Sequence, residues 1–353
     1  MEGFFVSFGR NVRHKLSYAL IGLVLLAFGL WRVRTVRRSV PPFRETRFLM
    51  DTTVTVQVAS RDTQKARRLA DEAFREIARV EELVGSGATI EVHRRWKRVP
   101  SEVARILKRS LYFSKLSGGA FDVTVGPLTL LWGFAGGNPH LPDPEDIRRR
   151  LASVGYENLE VSGDSVRGKV DGMYLDLGGV AKGYAVDRAI EVLRRAGVEG
   201  GLVEAGGDIR FFGRKTDGSP WRIALAHPRR PGKLIPLGNV GLPAVATSGD
   251  YQRFFWEGGR RYHHIIDPHT GYPAWGAVSA TVWARTCLDA DILSTALFVL
   301  GPEEGIRLAE GLPDVEGLVI YERGGKLSAE RSSGFEVKLK GTGISWGHPS
   351  SPP

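Results

Sequence analysis

Hydrophobic positions along this chain recur at two spacings, and one stretch follows neither. In LSYALIGLVLLAFGLW, residues 16–31, nearly every position is apolar, with Arg10, Arg13 and Lys15 before it and Arg32, Arg34, Arg37 and Arg38 after it. A helix that is apolar all round and bounded by charge at both ends predicts a membrane segment rather than a core helix. At 1.5 Å per residue it would span about 24 Å, a little short of a hydrocarbon core of about 30 Å, which flanking Arg and Trp make up by snorkelling. The residues after Leu30 are Trp and Arg, not an A-x-A-like pattern, so the segment is expected to stay attached. Both flanks are basic, and charge alone leaves the orientation open.

Beyond the apolar run the two regular periods take over. In 48–58 Val54, Val56 and Val58 alternate with Thr53, Thr55 and Gln57, which predicts a half-buried strand. Over 63–84 Ala66, Leu69, Ala70, Ala73, Ile77 and Val80 fall at three- and four-residue steps and predict one face of a helix. A second helix is expected over 101–117, and a short one from Pro144 to about Ser153, with Asp143 as its cap. Short strands follow over 159–176 and then a helix over 183–196. The region 201–266 reads as strand-rich, with Gly258 and Gly259 turning a hairpin. Helical spacing returns over 288–300 and 303–310, and the Gly/Ser/Pro-rich tail from Gly341 is expected to be loose. Strands and helices mix without a βαβ repeat, so the fold class is α+β.

Composition then narrows the setting. The chain has 353 residues, 42% of them hydrophobic, enough for a sizeable core. No Ser/Pro-rich linker divides it, so one two-lobed domain is expected. The net charge of +10 comes from scattered Arg rather than one basic stripe, which argues against nucleic acid and suits an anionic small ligand or lipid headgroups. Cys287 is the only cysteine, excluding an intramolecular disulfide, a cysteine metal cluster and a lipid-modified cysteine after the apolar run. The anchor is therefore expected to be the polypeptide itself.

Several stretches carry candidate chemistry. SGGAFDVTVGPLTLLWGF at 117–134 ends a helix in two glycines followed at once by Asp122, where small residues let a ligand approach the backbone. LDLGGVAKGYAVDRAIEVLRRAG at 175–197 sets Gly178, Gly179 and Lys182 before an amphipathic helix. That pattern fits a phosphate site and a tight strand-to-helix turn equally well, and matches neither GxxxxGK[ST] nor GxGxxG. VEAGGDIRFFG at 203–213 supplies another Gly pair, ending in Asp208. In ATSGDYQRFF at 246–255 Ser248 lacks the G-x-S-x-G setting of a hydrolase nucleophile, and turn chemistry accounts for it better.

RYHHIIDPHTGYP at 261–273 holds three histidines, but His263 and His264 would face opposite sides of a strand and His269 lies beyond a proline turn, which makes a shared metal doubtful. His264 is better placed as a general base or an orienting group, with His263 structural. In TCLDADILSTALFVLG at 286–301 Asp291 and Thr295 stand four apart on one helix face. Such a pair of oxygens can share one hard cation, and a sparse site of this kind suits Mg²⁺ on a pyrophosphate.

Taken in order from about Met50 to Leu300, the blocks GAFDVTVGPL…LWGF, DLGGVAKGYAVD, VEAGGDIRFFG, SGDYQRFF, HHIIDPHTGYP and ADILSTAL resemble those of the ApbE family of FAD:protein FMN transferases. The resemblance implies an ApbE-like, T-fold-like catalytic domain over 47–340, after a basic region 1–15, the anchor 16–31 and a linker 32–46, and before a flexible tail 341–353. It further implies FAD contacts at Met50, Ala120, Phe121, Asp122, Asp176, Lys182 and Ile265, and Mg²⁺ on Asp291, Thr295 and the Gly179 carbonyl. By the same resemblance an acceptor Thr hydroxyl attacks the FMN phosphorus of FAD and displaces AMP, with His264 assisting its deprotonation.

Acceptor proteins of this family carry a D-x-x-T-[SG]-A-T-like motif. The stretch 291–297 reads DILSTAL, with Leu297 in place of the acceptor threonine, so the expected acceptor is another membrane or exported protein, such as an electron-transfer subunit. The family setting implies a single-pass protein of the inner or plasma membrane with its catalytic domain outside the cytoplasm. Two further readings remain at this stage: an FAD pyrophosphatase that delivers water to the same phosphorus, and a flavin-binding membrane protein without turnover. The segment VGSGATIEVHRR at 84–95 departs from the family pattern, which usually places a Tyr- or Ser-bearing stretch over the flavin.

Overall fold

The computed structural model describes residues 41–84, 89–238 and 240–347. The predicted anchor at 16–31 and the basic region before it lie outside the described residues. Among the described residues no helix is long and apolar enough to cross a membrane.

In chain order the elements are β1 (Phe43–Leu49), β2 (Thr52–Ala59), α1 (Thr63–Val84), β3 (Thr89–Val92), β4 (Lys97–Arg98), α2 (Ser101–Leu116), α3 (Gly126–Leu131) and α4 (Pro144–Leu151). They continue with β5 (Leu159–Ser162), β6 (Ser165–Gly168), β7 (Met173–Asp176), α5 (Gly178–Arg195), β8 (Gly200–Ala205), β9 (Asp208–Gly213), β10 (Ala224–Ala226) and β11 (Leu234–Pro236). The last are β12 (Ala244–Gly249), β13 (Phe254–Glu257), β14 (Arg260–His263), β15 (Ser279–Ala284), α6 (Cys287–Glu310), β16 (Glu316–Arg323), β17 (Lys326–Arg331) and β18 (Ile344–Trp346).

The organising element is a nine-stranded sheet of order β1-β2-β8-β9-β12-β15-β16-β17-β18. Its neighbours pair antiparallel except β17 and β18, which run parallel. This bears out the α+β expectation. The helices α1, α5 and α6 pack on one face, where Val54, Val56 and Val58 of β2 and Val203 of β8 join Phe74, Ile77, Ile190, Leu193 and Phe298 in the largest core. The other face is covered by Trp221, Ile223, Ile235, Phe335 and Leu339, which pack against Leu202, Val245 and Trp283. With both faces covered, every residue of the interior strand β15 is buried. A third, smaller cluster gathers Leu128, Trp132, Phe134, Ile147 and Ile266 under the β13–β14 hairpin.

The structure corrects the expected elements at four places. The strand expected over 48–58 is two strands, because Met50 and Asp51 both take positive φ (54° and 57°) and turn β1 into β2 with Leu49 opposite Thr52. Two left-handed residues in a two-residue loop are the geometry of a type I′ hairpin, normally given to Asn or Gly; here the Met50 amide is held by Glu81 Oε1 at 2.8 Å. The linker expected over 32–46 therefore gives way to strand by Phe43. The helix expected from 183 starts at Gly178, because Asp176 Oδ1 accepts from the Gly178 amide at 2.7 Å and serves its first turn. The tail expected to be loose from Gly341 is ordered through Gly347: Ile344–Trp346 pairs with Leu327–Ala329, and Thr342 is buried.

Elsewhere the local chemistry works as its residues demand. Asp143 accepts from Glu145 N and Pro144 opens α4. Gly258 and Gly259, at φ 57° and 75°, close the β13–β14 hairpin. Gly301 at φ 77°, followed by Pro302, breaks α6 into the two helical segments that the spacing predicts. Part of the 84–95 segment that departs from the family pattern is β3, paired with β7 so that Thr89 lies opposite Asp176.

Candidate active site

A glycine sets the crossing of α5 and α6. A Cβ on Gly183 would lie 2.5 Å from the Cys287 carbonyl oxygen and 2.8 Å from Asp291 Cβ, so no larger residue lets the two helices meet. At this crossing the Gly183 amide donates to Asp291 Oδ2 at 3.0 Å. In a helical ladder that amide would serve the carbonyl of Gly179. Diverting or sharing it leaves the Gly179 oxygen with acceptor capacity beside the Asp291 carboxylate.

Lys182, one residue before this crossing, extends its Nζ to 2.8 Å from Asp208 Oδ2 and 3.7 Å from Asp291 Oδ2. Burial works against its charge, but the two carboxylates more than offset it and hold the ammonium above its ordinary value. Asp291 is raised by burial and by Asp208, and Asp208 by burial, with Lys182 opposing both shifts. Two buried carboxylates thus share one ammonium, and Asp208 Oδ2 has its ion pair but no aligned hydrogen bond. An excess of buried negative charge of this kind favours a further cation.

Thr295 lies one helical turn beyond Asp291. Its Oγ1 is 3.2 Å from Ser248 Oγ, which is 2.8 Å from Ser294 Oγ, and Ser294 Oγ donates to the Asp291 carbonyl at 2.9 Å. Ser248 is therefore in β12 and tied to α6, which corrects the turn role expected for it. Asp208 and Ser248 are the residues that sequence reasoning did not place in the site. The Gly-Gly-Asp turn, with Gly206 and Gly207 at φ 59° and 101°, was the available signal for Asp208; a serine in a strand carries none.

The turn after α2 is held from within. Asp122 Oδ1 accepts from Thr124 N and Oγ1 at 2.8 and 2.7 Å, and Oδ2 from Tyr156 N at 2.8 Å. Burial raises this carboxyl and those three donors oppose the shift. Asp122 thereby fixes the loop from which Phe121 lies against the start of α5, with its ring 3.6 Å from where a Gly179 Cβ would be. Asp176 reaches the same place from the other side by serving Gly178. Burial raises its carboxyl as well.

The histidine segment closes over this turn. His269 Nε2 donates to the Gly118 carbonyl at 3.0 Å, and Trp132 Nε1 to that of Gly271 at 2.9 Å. His263 is buried, with Nε2 donating to the Ala274 carbonyl at 2.7 Å and Nδ1 accepting from Ile265 N at 3.3 Å; burial pushes it down to about 4. The structural role expected for it fits. His264 bonds the Arg253 carbonyl through Nδ1 at 3.2 Å. A carbonyl only accepts, so Nδ1 carries the hydrogen and Nε2 keeps its lone pair. Burial, Arg253 and His263 hold this imidazole neutral, and the Lys182 charge also reaches it.

The three histidines thus bond three different carbonyls. The structure gathers Gly179, Lys182, Asp291 and Thr295 at the α5–α6 crossing, with Phe121 against the same helix start. The hairpin that carries Met50 approaches the turn before Asp208, with Thr52 Oγ1 2.8 Å from where a Gly206 Cβ would be. Ala120 and Ile265 are buried in the two loops that flank this region.

Carboxylate, hydroxyl and carbonyl oxygens beside spare negative charge make a hard-cation donor set, so the residues present fit Mg²⁺. At the α5 N-terminus the Gly178 amide serves Asp176 and those of Val180 and Ala181 serve the Leu177 carbonyl, so the Gly179 amide and Lys182 are the groups that fit a phosphate there.

A family model described as the ApbE family matches residues 50–319. The chain is 41% identical over 219 residues to a FAD:protein FMN transferase of Vibrio cholerae serotype O1, a match covering 60% of this chain and 65% of that one. It is similar to the ApbE protein of Thermotoga maritima, with a TM-score of 0.72, 35% identity and 83% and 97% of the two chains covered. It is likewise similar to the apo flavinyl transferase ApbE of Pseudomonas stutzeri, with a TM-score of 0.70, 33% identity and 84% and 96% covered.

Proposed function

The chain belongs to the ApbE family, and from that membership we propose that it transfers the FMN moiety of FAD to a threonine hydroxyl of another protein and releases AMP. The observation that carries the reading is the α5–α6 crossing, where Lys182, Asp208, Asp291 and Thr295 surround a helix start able to take a pyrophosphate. The relative in Vibrio cholerae, a FAD:protein FMN transferase, supports it.

In this reading Asp291, Thr295 and the Gly179 carbonyl hold Mg²⁺, whose charge offsets that of the pyrophosphate. Lys182 and the Gly179 amide bind the phosphate oxygens and orient the phosphorus. Phe121, Met50 and Ile265 shelter the flavin end. The acceptor oxygen forms a bond to the FMN phosphorus while the bond to the AMP oxygen breaks, and the hydroxyl proton passes to Nε2 of His264. The anionic pyrophosphate raises the basicity of a histidine that is depressed in the ligand-free protein.

The acceptor in this proposal is a membrane or exported electron-transfer subunit with a D-x-x-T-[SG]-A-T-like motif. Residues 16–31 anchor the enzyme in the inner or plasma membrane, with its catalytic domain outside the cytoplasm. The apolar run and its basic flanks support the anchor.

The test incubates the full chain with FAD, Mg²⁺ and a candidate acceptor, then weighs the acceptor and counts AMP. One FMN gained per AMP released is expected. AMP without an acceptor mass gain overturns the transferase reading in favour of an FAD pyrophosphatase.

A further inference from the structure

Three hydroxyls at the β12–α6 contact make three hydrogen bonds, and each hydroxyl has one hydrogen. The Asp291 carbonyl can only accept, so the bond at 2.9 Å fixes the Ser294 hydrogen on it. The 2.8 Å contact between Ser248 and Ser294 then needs the Ser248 hydrogen. The 3.2 Å contact between Thr295 and Ser248 in turn needs the hydrogen of Thr295. Counting hydrogens leaves one direction: Thr295 donates to Ser248, Ser248 to Ser294, and Ser294 to the carbonyl of Asp291. The chain is shielded from competing water, since Ser294 is fully buried and Ser248 is 9% exposed.

From this order we propose that Ser248, through Ser294, is a positioning residue that turns the Thr295 hydroxyl so that its hydrogen faces β12 and its lone pairs face a divalent cation. The inference rests on the proposed metal site and deepens it. A neutral hydroxyl is a useful ligand only when its hydrogen has an acceptor on the side away from the metal, and binding a cation makes that hydrogen a stronger donor. The chain supplies such an acceptor and ends on the backbone of the residue whose side chain is the partner ligand, Asp291. Lining up Thr295 and Asp291 thereby becomes one event. Without Ser248 the Thr295 hydroxyl can rotate, and its hydrogen can face the cation.

The test measures Mn²⁺ binding to the full chain by the loss of the free-ion EPR signal, with FAD present, and follows the Mg²⁺ dependence of AMP release alongside. Ser248→Ala is expected to weaken Mn²⁺ binding by about 10- to 100-fold, the usual effect of removing a group that orients a metal ligand. Ser294→Ala is expected to weaken it less, because Ser248 can still accept from Thr295. Ser248→Thr, which keeps the hydroxyl, is expected to restore binding towards wild type. The proposal is overturned if a folded Ser248→Ala protein binds Mn²⁺ within twofold of wild type, or if Ser248→Thr binds as poorly as Ser248→Ala. Should Ser248→Ala fail to fold, Ser294→Ala decides, and unchanged binding there overturns the hydrogen-bond order. Wild-type binding by Asp291→Ala would instead refute the metal site itself.

Discussion

The turn around Asp122 and the helical turn from Asp291 to Thr295 each bury a carboxylate that sequence reasoning attached to the cofactor, and they differ in what the carboxylate already does. Asp122 accepts three hydrogen bonds from its own fold, at both oxygens. Asp291 accepts one hydrogen bond, from Gly183, and shares Lys182 with Asp208. A saturated buried carboxylate is part of the scaffold; one with acceptor capacity left over, beside a second carboxylate and a single cation, is equipped for a ligand. Burial and proximity to a glycine pair are common to both and do not separate them.

The largest expected effect tests the unsaturated side. Asp291→Ala should lower AMP release at least about a thousandfold, the several kcal/mol that a bound cation contributes to charge stabilisation. Folding should survive, because Lys182 keeps Asp208. An Asp291→Ala enzyme with an undiminished rate would remove the distinction between the two carboxylates.

Asp122→Ala should do the opposite. It leaves the Thr124 and Tyr156 amides without their acceptors in a buried loop and should cost about 3 kcal/mol of stability, read as a lower denaturant midpoint. The folded fraction should bind Mn²⁺ as wild type does. A large loss of metal binding with unchanged stability would mean that the Asp122 carboxylate acts on the ligand and not on its loop alone.

Gly183→Ala should combine both signatures at smaller size. Its methyl would press on the Cys287 carbonyl and Asp291 Cβ, costing about 2 kcal/mol as overpacking and loosening metal binding by moving Asp291 away from α5. An alanine variant with both properties intact would mean that the close helix approach is not needed to build the site.

Period and punctuation in the sequence predicted α1, α2, α4, the β13–β14 hairpin and the break at Gly301, because each depends on local spacing, a cap or a glycine turn. The Met50–Asp51 turn escaped because it uses residues that rarely take positive φ and relies on Glu81 from another element. In the site, Asp291 and Thr295 were legible from their four-residue spacing on one helix. Asp208 and Ser248 reach that helix only through the pairing of β9, β12 and β15, a long-range arrangement that no local pattern encodes. The true start of α5 was hidden for the same reason as the role of Asp122: a side chain bonding backbone amides leaves no trace in periodicity.

His263 and His264 repeat the contrast between saturated and open groups in adjacent residues, and the unfolding midpoint exposes it. His263 has both ring nitrogens engaged and is held near 4, against about 6.5 for an unstrained histidine. Its folded value is depressed, so the unfolded chain takes up the proton first. The stability it contributes is complete above pH 6.5 and is lost as pH falls from there towards 4. By pH 5 the loss should be about 2 kcal/mol, measured by urea unfolding at a series of pH values. In His263→Gln the unfolding midpoint should be lower at neutral pH and should fall less steeply between pH 6.5 and 5. His264 is depressed further, to about 3, so His264→Gln should flatten the same limb by about as much, while leaving the His263 bonds and most of the neutral-pH midpoint in place. The contrast is read at neutral pH: if the two variants lower the unfolding midpoint there equally, the assignment of a structural and an open histidine fails.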